Sequence, residues 1–170
     1  MPPAGGLLCG ATGLALLLAV TVTDFWVTRG TPQGPVSLGL WRQCRGDTCS
    51  PHTGTPGLWE ASRALLLLSV LSAAVGLGLG GSVVLTHRWR GRARAAGVAL
   101  LLAGLLALLG LGLYTGSALS LLARERTPWR FSWSYILGWV AVVLTSFAGL
   151  FHLCAAVKDQ SPESSEVTNA

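Results

Sequence analysis

Residues 39–49 read GLWRQCRGDTC, and this stretch decides which kind of fold the chain adopts. Its two cysteines, Cys44 and Cys49, are five positions apart and flank Arg-Gly-Asp-Thr. This spacing fits a disulfide across a tight hairpin, and Gly-Asp is ordinary turn chemistry. A disulfide persists only in an oxidising compartment, so the stretch is predicted to lie outside the cytoplasm; the alternative is two free thiols.

The residues before the hairpin alternate in hydrophobicity. Val36, Leu38 and Leu40 are apolar and are separated by single small residues, a period of two that predicts a strand. The surrounding segment 27–61 is polar and contains four prolines: Pro32, Pro35, Pro51 and Pro56. It is therefore predicted to form a small β-sheet stapled by the Cys44–Cys49 disulfide. Trp41 would dominate such a sheet if its side chain is buried there.

Composition excludes a water-soluble globule. Charged residues make up 11% of the chain, against roughly 25% in a soluble domain, and the mean hydropathy is +0.57. Four stretches lack Asp, Glu, Lys and Arg, namely residues 5–23, 64–86, 95–123 and 133–157. Each reaches or approaches the ~20 apolar residues that span a bilayer, and only helices satisfy their backbone polar groups there.

The chain is therefore predicted to be an all-α membrane protein: a four-transmembrane-helix bundle with a small extracellular β-sheet in the first loop. The membrane domain is predicted over residues 1–157 and the extracellular loop over 27–61, followed by a disordered cytoplasmic tail over 158–170. The helices are predicted at about 5–26, 62–86, 95–123 and 133–157.

The first hydrophobic stretch has an alternative interpretation as a cleaved secretory signal. Its start, residues 1–4, lacks the basic region of such signals, and its 19-residue run is long for one. We expect it to be retained. Either interpretation leaves the loop after Asp24 outside.

Orientation rests on the loop between the second and third stretches. Residues 87–94 read HRWRGRAR, with four arginines and no acid, which favours the cytoplasm. A bare count is weak because six arginines lie in the two loops on the other side, but the short loop and the cysteine pair agree. Both termini are then cytoplasmic, and the plasma membrane is the expected location. The loop is favoured as an orienting element over a calmodulin or anionic-lipid site.

Glycine is expected at the helix contacts. Gly76 with Gly80, and Gly112 with Gly116, form two small-xxx-small pairs. Because leucine gains little by leaving lipid, close backbone approach through glycine is what joins membrane helices. These four residues are predicted to pack helix against helix.

The signature resembles that of the family of peripheral myelin protein, the epithelial membrane proteins and the claudins. Residues 130–141 read RFSWSYILGWVA. This block is more specific than the motif shared by all claudins, and it resembles the lens-fibre branch of the family. Residues 114–116 and 23–26 resemble that branch too. The resemblance implies a left-handed four-helix bundle that carries an extracellular sheet. The residues of the family motif are Trp26, Gly39, Leu40, Trp41, Cys44 and Cys49.

This resemblance implies a structural protein that contributes to cell–cell junction organisation or adhesion, between lens fibre cells. Its partner would be another copy or a junctional protein on the adjacent cell, with Arg42, Arg45 and Asp47 as candidate contacts. The alternative is a channel-forming or channel-regulating subunit. One departure concerns the tail, whose Asp159, Glu163 and Glu166 stand against a single lysine. A basic, calmodulin-binding tail is therefore not expected.

Other chemistry is not expected. The three histidines are scattered and no carboxylates are paired, so the roles of an enzyme are unfilled, and no cofactor or metal is expected. The net charge of +5 comes largely from arginines at membrane edges rather than from a nucleic-acid surface. The integrin-type tripeptide at residues 45–47 is explained by turn chemistry. In the tail, phosphorylation candidates are Ser161, Ser164 and Ser165.

Overall fold

The computed structural model describes residues 3–54, 57–85, 89–124 and 127–158, and it contains four long helices. All four are long and apolar enough to cross a membrane. The predicted fold class, a four-span bundle with a small sheet, is confirmed. The helices are α1 (Pro3–Val22), α2 (Gly57–Leu85), α3 (Trp89–Leu122) and α4 (Trp133–Lys158).

Three helix bounds differ from the predicted ones by four residues or more. α1 ends at Val22 rather than at residue 26, because side chains from outside the helix bind its last carbonyls, as described below. α2 begins at Gly57 instead of residue 62, and α3 begins at Trp89 instead of residue 95. Charged residues lie in both extensions. An uncharged stretch therefore marks the part of a helix that lies in lipid, whereas the helix itself continues beyond it.

Within the described residues, five antiparallel strands form one sheet in the order β4-β3-β2-β1-β5. Four of them come from the segment between α1 and α2, as predicted, but β5 lies between α3 and α4. The sheet therefore ties both connections on this side of the bundle together. The strands are β1 (Val27–Thr31), β2 (Gly34–Leu38), β3 (Arg42–Arg45), β4 (Thr48–Pro51) and β5 (Trp129–Phe131).

The register of the sheet aligns one apolar row with the helices. Val27 of β1 faces Leu38 of β2 on one side and Phe131 of β5 on the other. Val27 is fully buried, and Leu38 and Phe131 pack against the same core. Because side chains alternate across a strand, this row fixes which face of the sheet meets the bundle.

Serine side chains join α2 to α3. Three of them donate hydrogen bonds to carbonyl groups of the neighbouring helix, and such interhelical bonds favour association in lipid. The donors and acceptors run in opposite directions along the two helices, as antiparallel packing requires. The pairs are Ser62 with Gly110, Ser69 with Ala103, and Ser72 with Ala99, each at 2.7 Å.

The two predicted glycine pairs differ in their surroundings. A Cβ at Gly76 would lie 2.8 Å from Cγ of Leu100, and one at Gly80 would lie 2.9 Å from Cε1 of His152. For Gly112 and Gly116, no described atom lies within 4 Å of the same position. The prediction that this second pair packs helices within the chain was wrong, because the spacing does not specify which face of α3 meets a neighbour.

Candidate functional site

β3 and β4 form a hairpin at one edge of the sheet, and β4 is the edge strand. Cys44 lies opposite Cys49 with a Cα–Cα distance of 4.0 Å, and the two are joined by the predicted disulfide. Gly46 takes a positive φ of 56° in the turn between them. Arg45 and Asp47 are exposed at this tip. The side chain of Arg45 also donates a 2.8 Å hydrogen bond to Oε1 of Gln33, which links the hairpin to the turn between β1 and β2.

The last turn of α1 is capped by two tryptophans. A helix end leaves its final carbonyl groups without partners inside the helix. Nε1 of Trp26 donates to the carbonyl oxygen of Val20, and Nε1 of Trp41 donates to that of Thr21, each at 2.8 Å. The amide of Thr23 donates to the carbonyl of Ala19 at 3.1 Å. Two family-motif residues therefore end the first helix and attach the sheet to it.

An aromatic cluster fills the space between the sheet and the helices. The ring of Trp26 lies 4.5 Å from that of Tyr114 on α3 and 6.5 Å from that of Tyr135 on α4. Trp59, at the start of α2, lies 4.8 Å from Tyr114. Trp26 and Tyr114 are fully buried, and Trp59 nearly so. The cluster therefore connects the segment between α1 and β1 with α2, α3 and α4.

The segment Gly39–Trp41, which we call the signature segment, presents three consecutive carbonyl groups to the start of α2 and the residues before it. The carbonyl of Gly39 lies 3.1 Å from Nε2 of His52. That of Leu40 accepts from Nε1 of Trp59 at 3.0 Å and from Nε of Arg63 at 2.8 Å. That of Trp41 accepts from the amide of His52 at 3.3 Å. The signature segment therefore connects the sheet to α2 as well as to α1.

Position 39 requires glycine because Asp24 lies directly against it. A Cβ at this position would lie 2.5 Å from Cα of Asp24, closer than real Cβ contacts. Asp24 is itself held by an ion pair between its Oδ2 and Nη2 of Arg42, at 2.8 Å. Arg42, predicted as a partner contact, is thus engaged within the chain, although 53% of its side chain is exposed.

The condition under which Trp41 would dominate the sheet, burial of its side chain, is not met. Trp41 is 36% exposed and lies at the edge of the bundle, with the guanidinium of Arg63 at 5.2 Å from its ring centroid. Trp26 and Leu40 are fully buried and fill the centre instead. The reason is geometric, since the Trp41 indole must reach the end of α1 to cap Thr21.

The imidazole of His52 is a titratable group that contacts the signature segment, through the carbonyl of Gly39. Its ring packs edge-on against Trp59 at 5.1 Å. Burial lowers the pKa of His52 from its ordinary 6.5, and the charge of Arg63 lowers it further, while the hydrogen bond to Gly39 and the charge of Asp24 act in the opposite direction. The ring is therefore held mainly in its neutral form at neutral pH.

Four site residues were not predicted from the sequence: Asp24, His52, Trp59 and Arg63. One signal was present, since Trp59 and Arg63 are four positions apart at the start of a helix and so share a face. The structure brings the motif residues Trp26, Gly39, Leu40 and Trp41 together around the end of α1, and it places the cysteine pair apart from them, at the hairpin.

The three candidate phosphorylation serines lie outside the described residues. Within the described residues, no three His, Cys, Asp or Glu side chains are grouped as metal ligands would be.

The chain has a bundle of four helices that can span a membrane, and a disulfide-closed sheet is attached to this bundle through Gly-Leu-Trp. These two features define it as a four-span membrane protein with a sheet formed by its loops. The model of the PMP-22/EMP/MP20/Claudin family matches residues 4–152. The chain belongs to this family, and the resemblance seen in its sequence is confirmed.

Individual relatives refine this placement. The chain is 41% identical to "Lens fiber membrane intrinsic protein" of Rattus norvegicus over 154 residues, which cover 89% of each chain. It is 32% identical to "Claudin domain-containing protein 2" of Mus musculus over 165 residues, 94% of this chain and 89% of that one. It is 25% identical to "Claudin-18" of Bos taurus over 194 residues, 93% of this chain and 74% of that one.

Proposed function

We propose that this chain is a structural protein of the plasma membrane that organises cell–cell junctions or adhesion, with its sheet as the contact surface. The observation that carries the proposal is the attachment of the sheet through all three carbonyls of the signature segment. A surface that is rigid before binding loses little conformational entropy when a partner docks.

The proposed orientation is supported by the chemistry of the sheet. The disulfide between Cys44 and Cys49 needs an oxidising compartment, which for a plasma-membrane protein is the extracellular side. Four spans then bring both termini to the cytoplasm, together with the arginine-rich connection between α2 and α3. The sheet faces the adjacent cell in this arrangement.

The partner that suits the tip is a second copy on the facing cell. Arg45 and Asp47 are exposed, have opposite charges and are held on one disulfide-closed turn. In a two-fold contact, Arg45 of each copy meets Asp47 of the other, so the same patch is complementary to itself. Lens fibre cells are the proposed setting because the lens fiber relative matches along most of the chain.

Mixed aggregation of non-adherent cells tests this function. Cells that express the chain should aggregate, whereas cells with Arg45→Asp or Asp47→Arg alone should aggregate less at equal surface delivery. Mixing the two variant populations should restore contacts between them, because each reversed charge then meets its complement. Arg130→Asp, a charge reversal on β5 at the opposite edge of the sheet, is the matched control and should aggregate like the wild type.

Two other outcomes would redirect the proposal. Binding of expressing cells only to non-expressing cells would indicate a different partner in place of a second copy. Full surface delivery without any aggregation would contradict the junctional function. Electrical recording from the same cells would then test the alternative, a channel-forming or channel-regulating subunit.

A further inference from the structure

The outward face of α3 carries a groove of about 450 Å³, bounded by α2 on one side and by α4 on the other. Its floor is at Gly112, which has no side chain, and no described atom lies within 4 Å of the Cβ position of this residue. Such a lining favours an apolar ligand. The lining residues are Leu65 of α2, Leu108, Leu109, Gly112 and Leu113 of α3, and Trp139 of α4.

The groove lies in the half of the membrane span that is nearer to the sheet. Gly112 precedes Leu122, the last residue of α3, by ten positions, and Trp139 follows Trp133, the first residue of α4, by six. At the rise of an α-helix, these positions are about 15 Å and about 9 Å from the ends of their helices. In the orientation proposed above, lipids of the outer leaflet therefore reach the groove.

Two hydroxyl groups lie beside the groove, on the side of the sheet. Thr115, three residues after Gly112 on α3, has its Oγ1 at 2.8 Å from the hydroxyl oxygen of Tyr135 on α4. The ring of Tyr135 packs edge-on against that of Trp139, with 6.2 Å between the centroids. An apolar groove thus has a polar group at one end of its length.

The protons of this hydroxyl pair are both in use. Oγ1 of Thr115 donates its single proton to the carbonyl oxygen of Leu111 at 2.7 Å. Tyr135 is then the donor in the contact with Thr115, and each oxygen keeps a lone pair for a further bond. The pair therefore selects a ligand that donates an O–H. An ester or ether oxygen only accepts, so it gains nothing from these lone pairs.

We propose that this groove binds a membrane sterol, whose fused rings lie over Gly112 and whose hydroxyl donates to the pair of Thr115 and Tyr135. From Thr115 to Leu108 the helix advances seven residues, about 10 Å, so the polar and apolar parts of the site are separated along the helix as they are in a sterol. A rigid ring system also loses less conformational entropy on binding than a flexible acyl chain does.

Photo-crosslinking of the full-length protein in phosphatidylcholine proteoliposomes tests the site. The probe is a cholesterol analogue that carries a diazirine on its rings and keeps its hydroxyl. Mass spectrometry should locate its label on the groove residues, and an excess of cholesterol should remove the label. A phosphatidylcholine with a diazirine on its acyl chain is the comparison probe, and cholesterol should displace it from the groove as well. Groove labelling that cholesterol does not reduce would overturn the proposal.

Filling the groove tests its shape. Gly112→Leu places a side chain in open space, so the variant should fold, as near-ultraviolet circular dichroism would verify, and its groove should lose the sterol label. Gly78→Leu adds the same side chain on α2, at a position that also has no described atom within 4 Å. This control should be labelled in the groove like the wild type. Equal groove labelling of Gly112→Leu and the wild type would contradict a sterol at this place.

Competition by an ether tests the hydroxyl pair. Cholesteryl methyl ether keeps the rings but lacks the O–H, so displacing the probe from the wild type should require about two- to tenfold more of it than of cholesterol, the effect of one hydrogen bond. In Thr115→Val the O–H of Tyr135 loses its acceptor and becomes available to the ether oxygen, so the preference should decrease toward one. Equal competition by the two compounds in the wild type would overturn the proposal.

A second copy of the chain is the other occupant that an open helix face admits. Leu109→Cys, in a background with Cys9→Ser and Cys154→Ser, places one thiol at the groove. Oxidation in proteoliposomes that contain cholesterol should leave this variant monomeric, because the sterol covers the groove. A disulfide-linked dimer would place a second copy there and would refute the sterol site.

Discussion

Nε1 of Trp41 donates a 2.8 Å hydrogen bond to the carbonyl oxygen of Thr21, so a residue of the signature segment caps the first membrane helix. Trp26 makes the equivalent bond to Val20. Where a helix end lies close to lipid, water is scarce, and an uncapped carbonyl is costly. The two tryptophans of the family motif therefore have a polar role in addition to packing.

Removing the indole N–H while keeping an aromatic ring separates these roles. Trp41→Phe should destabilise the protein by about 1–3 kcal/mol, the cost of leaving a buried acceptor without its partner. Trp26→Ala should cost more, roughly 3–5 kcal/mol, because it also empties the centre of the aromatic cluster. Unfolding in detergent, followed by near-ultraviolet circular dichroism, measures both. Trp133→Phe, at a ring that is about half exposed, should change stability by less than about 0.5 kcal/mol.

The elements that could be predicted from sequence depend on near neighbours. Cys44 and Cys49 are five residues apart, and the turn between them contains Gly46, so the hairpin follows from local chemistry. The spans follow from uninterrupted apolar stretches, because lipid enforces helices there. The alternation around Val36 and Leu38 likewise predicted a strand that the structure contains.

The attachment of the sheet could not be predicted in this way. Trp59 reaches Leu40 across 19 residues, and Trp41 reaches Thr21 across 20, so the pairs are set by tertiary packing. The same limit explains why β5 was missed, since three residues carry little periodicity. The same limit applies to Gly112. The spacing of small residues does not specify which face of α3 meets a neighbouring helix, and Gly112 lies on a face without a described atom within 4 Å of its Cβ position.

Gly39→Ala should prevent the signature segment from closing. The new methyl group would lie 2.5 Å from Cα of Asp24, and backbone atoms cannot move aside as a flexible side chain does. We expect a loss of several kcal/mol and retention of most of the protein in the secretory pathway, measured by surface biotinylation. Gly57→Ala is the control, since no described atom lies within 4 Å of its Cβ position. Equal surface delivery of both variants would show that the segment tolerates the methyl group.

The helix contacts predict opposite results for glycines of the same helix. At Gly97 of α3 a Cβ would lie 2.9 Å from the carbonyl oxygen of Gly149 on α4, so Gly97→Ala should force the helices apart and destabilise the bundle. Gly112→Ala enters open space and should be neutral or stabilising, by up to about 1 kcal/mol of helix propensity. Thermal unfolding of the two variants in the same detergent compares them directly, and equal midpoints would contradict the difference in packing.

The disulfide should contribute modestly to stability. Its ring closes a short loop, and chain entropy alone gives about 2 kcal/mol for such a loop. Replacing both Cys44 and Cys49 by serine should therefore lower stability by about that amount and leave the helices intact. Circular dichroism measures the helices, and non-reducing mass spectrometry of the wild type should find the two sulfurs joined. Two free thiols would refute the bond and remove the main argument for placing the sheet outside the cell.

Labelling of engineered cysteines tests the orientation on which the proposed function depends. In a background with Cys9→Ser and Cys154→Ser, Gln33→Cys lies at the turn between β1 and β2, and Gly91→Cys lies near the start of α3. The native disulfide protects Cys44 and Cys49 from the reagent. A membrane-impermeant maleimide should modify Gln33→Cys in intact cells, and Gly91→Cys only after permeabilisation, because the arginines beside Gly91 favour the cytoplasm. The reverse pattern would place the sheet inside the cell, where its disulfide would not persist, and would exclude contact with a neighbouring cell.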